Sequence, residues 1–155
     1  MRATHEFGPF FRSDSEILIL GSFPSVKSRE EAFYYAHPQN RFWRVLATCF
    51  DEHVPESIAE KQELLVRRKI AIWDVVTECE IVGSRDATIK NYTVADLENL
   101  LKNLQIGLII VNGGRAHSIF KKHFPTTPAT ALPSTSPANT RFDKKEWFDA
   151  LRGVF

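Results

Sequence analysis

A chain of 155 residues that is 43% hydrophobic and 25% charged has the size and balance of one compact unit with a real core. This excludes a fibrous or disordered polypeptide and predicts a single domain over residues 1–155. Lys and Arg number 20 against 19 Asp and Glu, a net charge of +1, so bulk charge announces no polyanionic partner and any nucleic-acid footprint must be local. With two cysteines, no apolar leader near Met1 and no run near the roughly 20 apolar residues that span a bilayer, the chain reads as cytoplasmic, with neither disulfide framework nor membrane anchor.

Taken in chain order, the first clear element is the aliphatic run Ile17 to Leu20, which predicts a strand covered on both faces. It runs into the turn signal Gly21-Ser22-Phe23-Pro24-Ser25. Asn40 to Phe50 and Ile58 to Lys69 follow as helices, and Ile70 to Trp73 as a second strand. Thr93 is placed to cap a helix over Val94 to Leu104, with Leu97, Leu100, Leu101 and Leu104 on its apolar face. A third strand, Leu108 to Val111, ends in Asn112-Gly113-Gly114 and leads into a helix over Ala116 to His123. Ala129 to Leu132 completes the strands and is followed by Pro133-Ser134-Thr135-Ser136-Pro137, and Lys144 to Leu151 closes the chain as a helix.

This alternation predicts an α/β fold, a three-layer α/β/α sandwich around a central, mainly parallel four-stranded sheet. Ligands of such sheets bind outside the carboxyl ends of the strands, where all three turn segments fall. Neither GxGxxG nor GxxxxGK[ST] follows a strand, which argues against a nucleotide-binding domain. Cys49, Cys79 and the five histidines lack metal-ligand spacing, so no metal site is expected.

The segment Gly21-Ser22-Phe23-Pro24-Ser25, the stretch Tyr34-Tyr35-Ala36-His37-Pro38-Gln39-Asn40-Arg41-Phe42-Trp43, Trp73-Asp74-Val75-Val76 with the later Cys79, Gly83, Ser84 and Asp86, and the late loop Leu132 to Asn139 resemble, as a set, the uracil-DNA glycosylase superfamily. The resemblance is to its mismatch-specific branch and, more closely, to its hypoxanthine-DNA glycosylase branch. It implies a DNA-repair enzyme that flips a deaminated base out of double-stranded DNA and hydrolyses its N-glycosidic bond without a cofactor, acting as a monomer with no obligate protein partner, nucleoid-associated in a prokaryote. Two departures from the common superfamily pattern stand out. Phe23 occupies the place of an Asn or Asp, and Leu132-Pro133-Ser134 lacks a His that steadies the departing pyrimidine; both agree with the hypoxanthine branch.

On that resemblance Asn40 is the catalytic candidate, its amide holding the attacking water or the base while charge develops; capping of the following helix is the rival role. Tyr35 takes the position of a ring that stacks on the flipped base, with Phe23 beside it, and a core tyrosine is the alternative. Asn112, at a strand end, is a candidate to read the base edge, or only an Asn-Gly turn. Ser25, Ser134 and Ser136 suit phosphate contacts, Pro137, Ala138 and Asn139 a wedge into the vacated stack, and Lys27 and Arg141 added phosphate charge. The same residues also suit plain turns and solvated surface. Phe42 and Trp43 have helical core spacing, while Asp74, Asp86 and His37 carry no assigned role. Two further readings stay open: a uracil or mismatched-thymine glycosylase, and a nucleic-acid-binding protein that kept the fold and lost catalysis.

Overall fold

The computed structural model describes residues 1–153. In chain order they form β1 (Arg2–Thr4), β2 (Ile17–Gly21), α1 (Val26–Glu31), α2 (Phe42–Cys49), α3 (Ile58–Arg67), β3 (Ile70–Asp74) and β4 (Val76–Glu80). A 3-10 turn at Asp86–Thr88 leads to β5 (Lys90–Val94), α4 (Leu97–Lys102), β6 (Leu108–Asn112), α5 (Gly114–His123), β7 (Thr130–Leu132) and α6 (Lys144–Arg152).

The four aliphatic runs become one sheet in the order β3-β2-β6-β7, and each neighbouring pair is parallel. Every residue of β2 is buried, and the run divides by pleat. Ile17 and Ile19 join Ile70, Ile72 and Ile110 on the face covered by α2, α3 and α6. Leu18 and Leu20 join Ala71, Ile109 and Val111 on the face covered by α4 and α5. A strand packed on both sides needs apolar residues at successive positions, and burial stabilises each large aliphatic by roughly 1.5–3 kcal/mol. Phe42 and Trp43 are core residues, 1% and 5% exposed. No helix among the described residues is long and apolar enough to cross a membrane.

The structure departs from the sequence expectations on the second face. A three-stranded antiparallel sheet, β1-β4-β5, lies there, where no strand was expected. Val94 belongs to its strand β5, not to a helix: Thr93 and Val94 pair with Glu78 and Val76, which draws these β-branched residues into the ladder. Asp96 takes the capping role expected of Thr93, its carboxylate accepting from Asn99 N at 3.2 Å. The segment after the first turn signal, where the sequence predicts no element before Asn40, contains α1, capped by Ser25.

Candidate active site

The chain goes outward from β2 to β3 on one side, and β6 and β7 fill the other, so the winding reverses between β2 and β6. Reversal parts the connecting segments and opens a crevice at the strand ends. A cavity of about 560 Å³ lies there, lined by Gly21 at the end of β2 and Ser22 after it, Asp74 at the end of β3, Asn112 at the end of β6, the Tyr34–Asn40 segment, Ser84 to Asp86 and the late loop.

Of the residues singled out in the sequence, Phe23, Ser25, Tyr35, Asn40, Asn112, Ser134, Ser136, Pro137, Ala138 and Asn139 all line this cavity. Lys27 and Arg141 are exposed and do not; Lys27 stands 4.0 Å from Glu31.

Asn40 has its two amide atoms in different surroundings. Its Oδ1 accepts from Phe42 N at 2.9 Å, satisfying a free N–H at the start of α2. Its Nδ2 has no partner among the described residues, which leaves a donor for the cavity. The capping and cavity roles are therefore compatible, since Asn40 lines the cavity with its Nδ2 uncommitted.

Tyr35 adopts a left-handed backbone, φ 51°, that a tyrosine rarely takes. Its ring stacks on Phe42 with centroids 4.2 Å apart and planes at 23°, so one face is backed by core. Its hydroxyl has no hydrogen-bond partner of good geometry among the described residues. Burial first, and then the Asp74 carboxylate, push the Tyr35 phenol above its ordinary range, with the nearby Asn112 amide working against them. Tyr34 is raised by the same two causes, and its hydroxyl donates to Gly8 O at 2.8 Å. Gly21 is obligatory beneath Tyr35: a Cβ there would overlap the Asp74 carboxylate and stand 2.9 Å from Tyr35 Oη.

Phe23 is 6% exposed, with the Arg29 guanidinium 5.4 Å from its ring centroid and His5 edge-on at 6.2 Å. It is a wall residue whose ring also belongs to the core. Asn112 is 7% exposed and bonded at both ends of its amide to Thr135. Gly113, at φ 100°, lets the late loop close over it, since a Cβ there would come within 3.1 Å of Ser134 Cβ.

The late loop holds its own shape. Ser134 Oγ accepts from Ser136 N, Ser136 Oγ from Ala138 N, and Asn139 Nδ2 donates to Ser134 O. Each serine thus uses an oxygen lone pair inward and keeps its O–H to give to an acceptor. Arg41 ties this loop to the Asn40 segment: its N donates to Thr135 O at 3.0 Å and its Nη1 to Ser136 O at 2.9 Å. Trp147 anchors the other side through Nε1 to Pro133 O at 2.8 Å.

Two carboxylates that carry no assigned role in the sequence, Asp74 and Asp86, also line the cavity, and His5, which no sequence signal singles out, stands behind the first. Asp74 is 3% exposed and bonded to His5, which reaches it from the β1 end. Asp86 is raised above the usual carboxyl value, chiefly by burial, with Ser22 and Arg115 opposing and Asp74 adding to the rise. Among the described residues no group of three or more His, Cys, Asp and Glu is placed to hold a metal ion.

The model of the uracil DNA glycosylase superfamily matches residues 9–152. The chain belongs to this superfamily. A hypoxanthine DNA glycosylase of Methanosarcina acetivorans is 33% identical over 149 residues, covering 90% of this chain and 92% of its own. A second protein of that name, from Methanosarcina barkeri, is 34% identical over 114 residues, 71% of each chain. A solution NMR structure from Methanosarcina acetivorans, assigned by name to the uracil DNA glycosylases, superimposes with a TM-score of 0.86 at 30% identity over 99% of both chains. For a superfamily member, the crevice at the strand ends is the part of the fold where a flipped base would enter.

Proposed function

We propose that this chain is a monofunctional DNA glycosylase that excises a deaminated base, hypoxanthine foremost, from double-stranded DNA. It acts inside the cell as a monomer of one domain, with no obligate protein partner. The observation that carries the reading is the Asn40 amide, anchored through Oδ1 with Nδ2 uncommitted, on the wall of a cavity large enough to admit a nucleobase. The two relatives named hypoxanthine DNA glycosylase support the choice of base.

An amide donor does not abstract a proton. Its contribution is to meet negative charge on the departing base, or to hold water in line, so the reaction is largely dissociative and its rate comes from preorganised dipoles. Tyr35, backed by Phe42, stacks on the extruded base, and Phe23 makes an apolar wall. Asn112 fixes the late loop, whose serines give O–H donors to phosphates while Pro137, Ala138 and Asn139 fill the gap in the stack. Lys27 and Arg141 add charge outside the cavity.

The test is release of free base, in excess chelator, from duplexes bearing one hypoxanthine, uracil, xanthine or mismatched thymine. Fastest release of hypoxanthine, leaving an abasic site uncut, is expected. Faster release of uracil would overturn the base assignment, and DNA binding without release from any duplex would favour an inactive binding protein.

A further inference from the structure

Of the acid–base side-chain contacts among the described residues, only that of His5 and Asp74 has both partners buried, with side chains 1% and 4% exposed and Nε2 and Oδ2 2.9 Å apart. Burying two such polar groups is costly unless they are hydrogen-bonded to each other. Asp74 ends β3 opposite Gly21 in the sheet register, and the absent Gly21 side chain leaves the space its carboxylate fills beside the Tyr35 hydroxyl. One carboxylate oxygen is taken by His5. The other, Oδ1, has no hydrogen-bond partner among the described residues, and Asp74 lines the cavity.

His5 is held firmly for this task. The β1–β4 pairing continues through His5 N donating to Thr77 O at 2.7 Å. The imidazole sits among Phe7, Tyr34 and Phe23, with centroids 4.5, 5.7 and 6.2 Å away. Such a box leaves the ring little freedom, so the Asp74 carboxylate is fixed in direction.

The two amide oxygens at the cavity are already engaged, while Asp86, Ser22 and the Tyr35 hydroxyl also line it. Asn112 Oδ1 is bonded to Thr135 N, and Asn40 Oδ1 to Phe42 N. A carboxylate oxygen with no partner accepts, so a base that meets Asp74 Oδ1 should offer a donor, and the donor a nucleobase ring can offer is an N–H. Deamination creates one. Adenine has a lone pair at N1, whereas hypoxanthine has N1–H beside its new carbonyl; cytosine and uracil differ in the same way at N3.

We propose that the His5–Asp74 pair is a specificity element of the pocket, with Asp74 Oδ1 accepting the ring N–H that deamination creates and His5 acting as its positioning residue. The inference rests on the glycosylase reading and adds to it the means by which the parent bases are refused: their ring lone pair would face a carboxylate. A site built for a hydrogen bond discriminates strongly against a partner that leaves it unmade.

The experiment compares Asp74→Asn, His5→Leu and His5→Gln with the unmodified protein, using melting temperatures and single-turnover release from duplexes with deoxyinosine or deoxyadenosine. Asp74→Asn should fold, release hypoxanthine about tenfold more slowly or worse, and narrow the preference over adenine, because an amide can turn its N–H toward the base. His5→Leu should narrow the preference too, and His5→Gln, which keeps a side-chain N–H for the carboxylate, should restore it. A purely packing role for His5 would not produce that rescue. The unmodified protein should also fail on N1-methyldeoxyinosine, which keeps the carbonyl and lacks the N–H.

Folded Asp74→Asn with unchanged rate and preference overturns the inference, as does methylated hypoxanthine released as fast as hypoxanthine; the second holds even if the variants do not fold. An unmodified protein inactive on every duplex would overturn the glycosylase reading, and this inference with it. An active protein with indifferent variants overturns this inference alone.

Discussion

Asn112 and Thr135 hold each other by two hydrogen bonds: Asn112 Oδ1 accepts from Thr135 N at 3.1 Å, and Asn112 Nδ2 donates to Thr135 Oγ1 at 3.0 Å. Because one donor is a main-chain N–H, the orientation of the amide is fixed, and the end of β6 is stapled to the late loop. Both residues are buried, Thr135 to 1% exposure. Asn112→Ala strands the Thr135 N–H and should cost about 2 kcal/mol of unfolding free energy, more than Thr135→Ala, which keeps the main-chain bond. Urea unfolding measures both. Excision by Asn112→Ala should fall as well, since the late loop loses its tie to the sheet. Equal stability of the two variants would rule out the staple.

Asn40 allows its two roles to be separated by chemistry. Asn40→Asp keeps an oxygen for Phe42 N and places a negative charge at the start of α2, where it is favoured. Its melting temperature should equal or exceed that of the unmodified protein while single-turnover excision collapses, because the Nδ2 donor is gone. Asn40→Ala loses both groups, so it should be inactive and also less stable by about 1 kcal/mol. Full activity in Asn40→Asp would reduce Asn40 to a cap.

These contrasts mark what the sequence could and could not reveal. The runs at Ile17, Ile70 and Leu108 are legible because strands buried on both faces write continuous apolar text. Asn40 and Tyr35 sit in irregular loop and stand out only by resemblance to a known pattern. His5 was illegible: it joins Asp74 across 69 residues of sequence, through a three-residue strand with an exposed, part-buried, exposed pattern that leaves no periodic signal. Asp74 itself is visible as a carboxylate after a strand, but nothing local says that its neighbour is Gly21. The misread start of α4 is a competition between Thr93 and Asp96 as caps, decided by the pairing of β5 with β4.

Asp86 makes stability depend on pH in a definite direction. Burial leads the causes that raise its carboxyl above the ordinary value, and Asp74 adds to it. The folded protein therefore holds this proton more tightly than the unfolded chain, and the group's contribution to stability is lost as pH rises from the ordinary carboxyl value through the raised one. Asp86→Asn removes that penalty. The variant should gain over the unmodified protein at neutral pH, and the gain should shrink in acid once Asp86 is protonated in both states. Chemical unfolding at the two conditions decides it, and a difference that ignores pH would show that Asp86 is not desolvated in solution.

Gly21 and Gly114 offer a matched pair for testing how tightly the cavity floor is built. A methyl group on Gly21 would run into the Asp74 carboxylate and the Tyr35 hydroxyl, and neither neighbour gives way easily. Asp74 is bonded to the boxed His5, and Tyr35 is stacked on Phe42 with its backbone already left-handed. Gly114, one residue after the positive-φ Gly113 and first in α5, would put its methyl group into open space. Gly21→Ala should then cost about 1–3 kcal/mol of stability. Its excision rate should fall further than that loss explains, because the residues it displaces are the ones assigned to hold the base. Gly114→Ala should be neutral or slightly stabilising, as alanine is favoured over glycine within a helix. Paired melting curves and single-turnover assays on a hypoxanthine duplex read both effects. Gly21→Ala with intact excision would mean that the base is held elsewhere, and that the meeting of Asp74 and Tyr35 over Gly21 serves the fold alone.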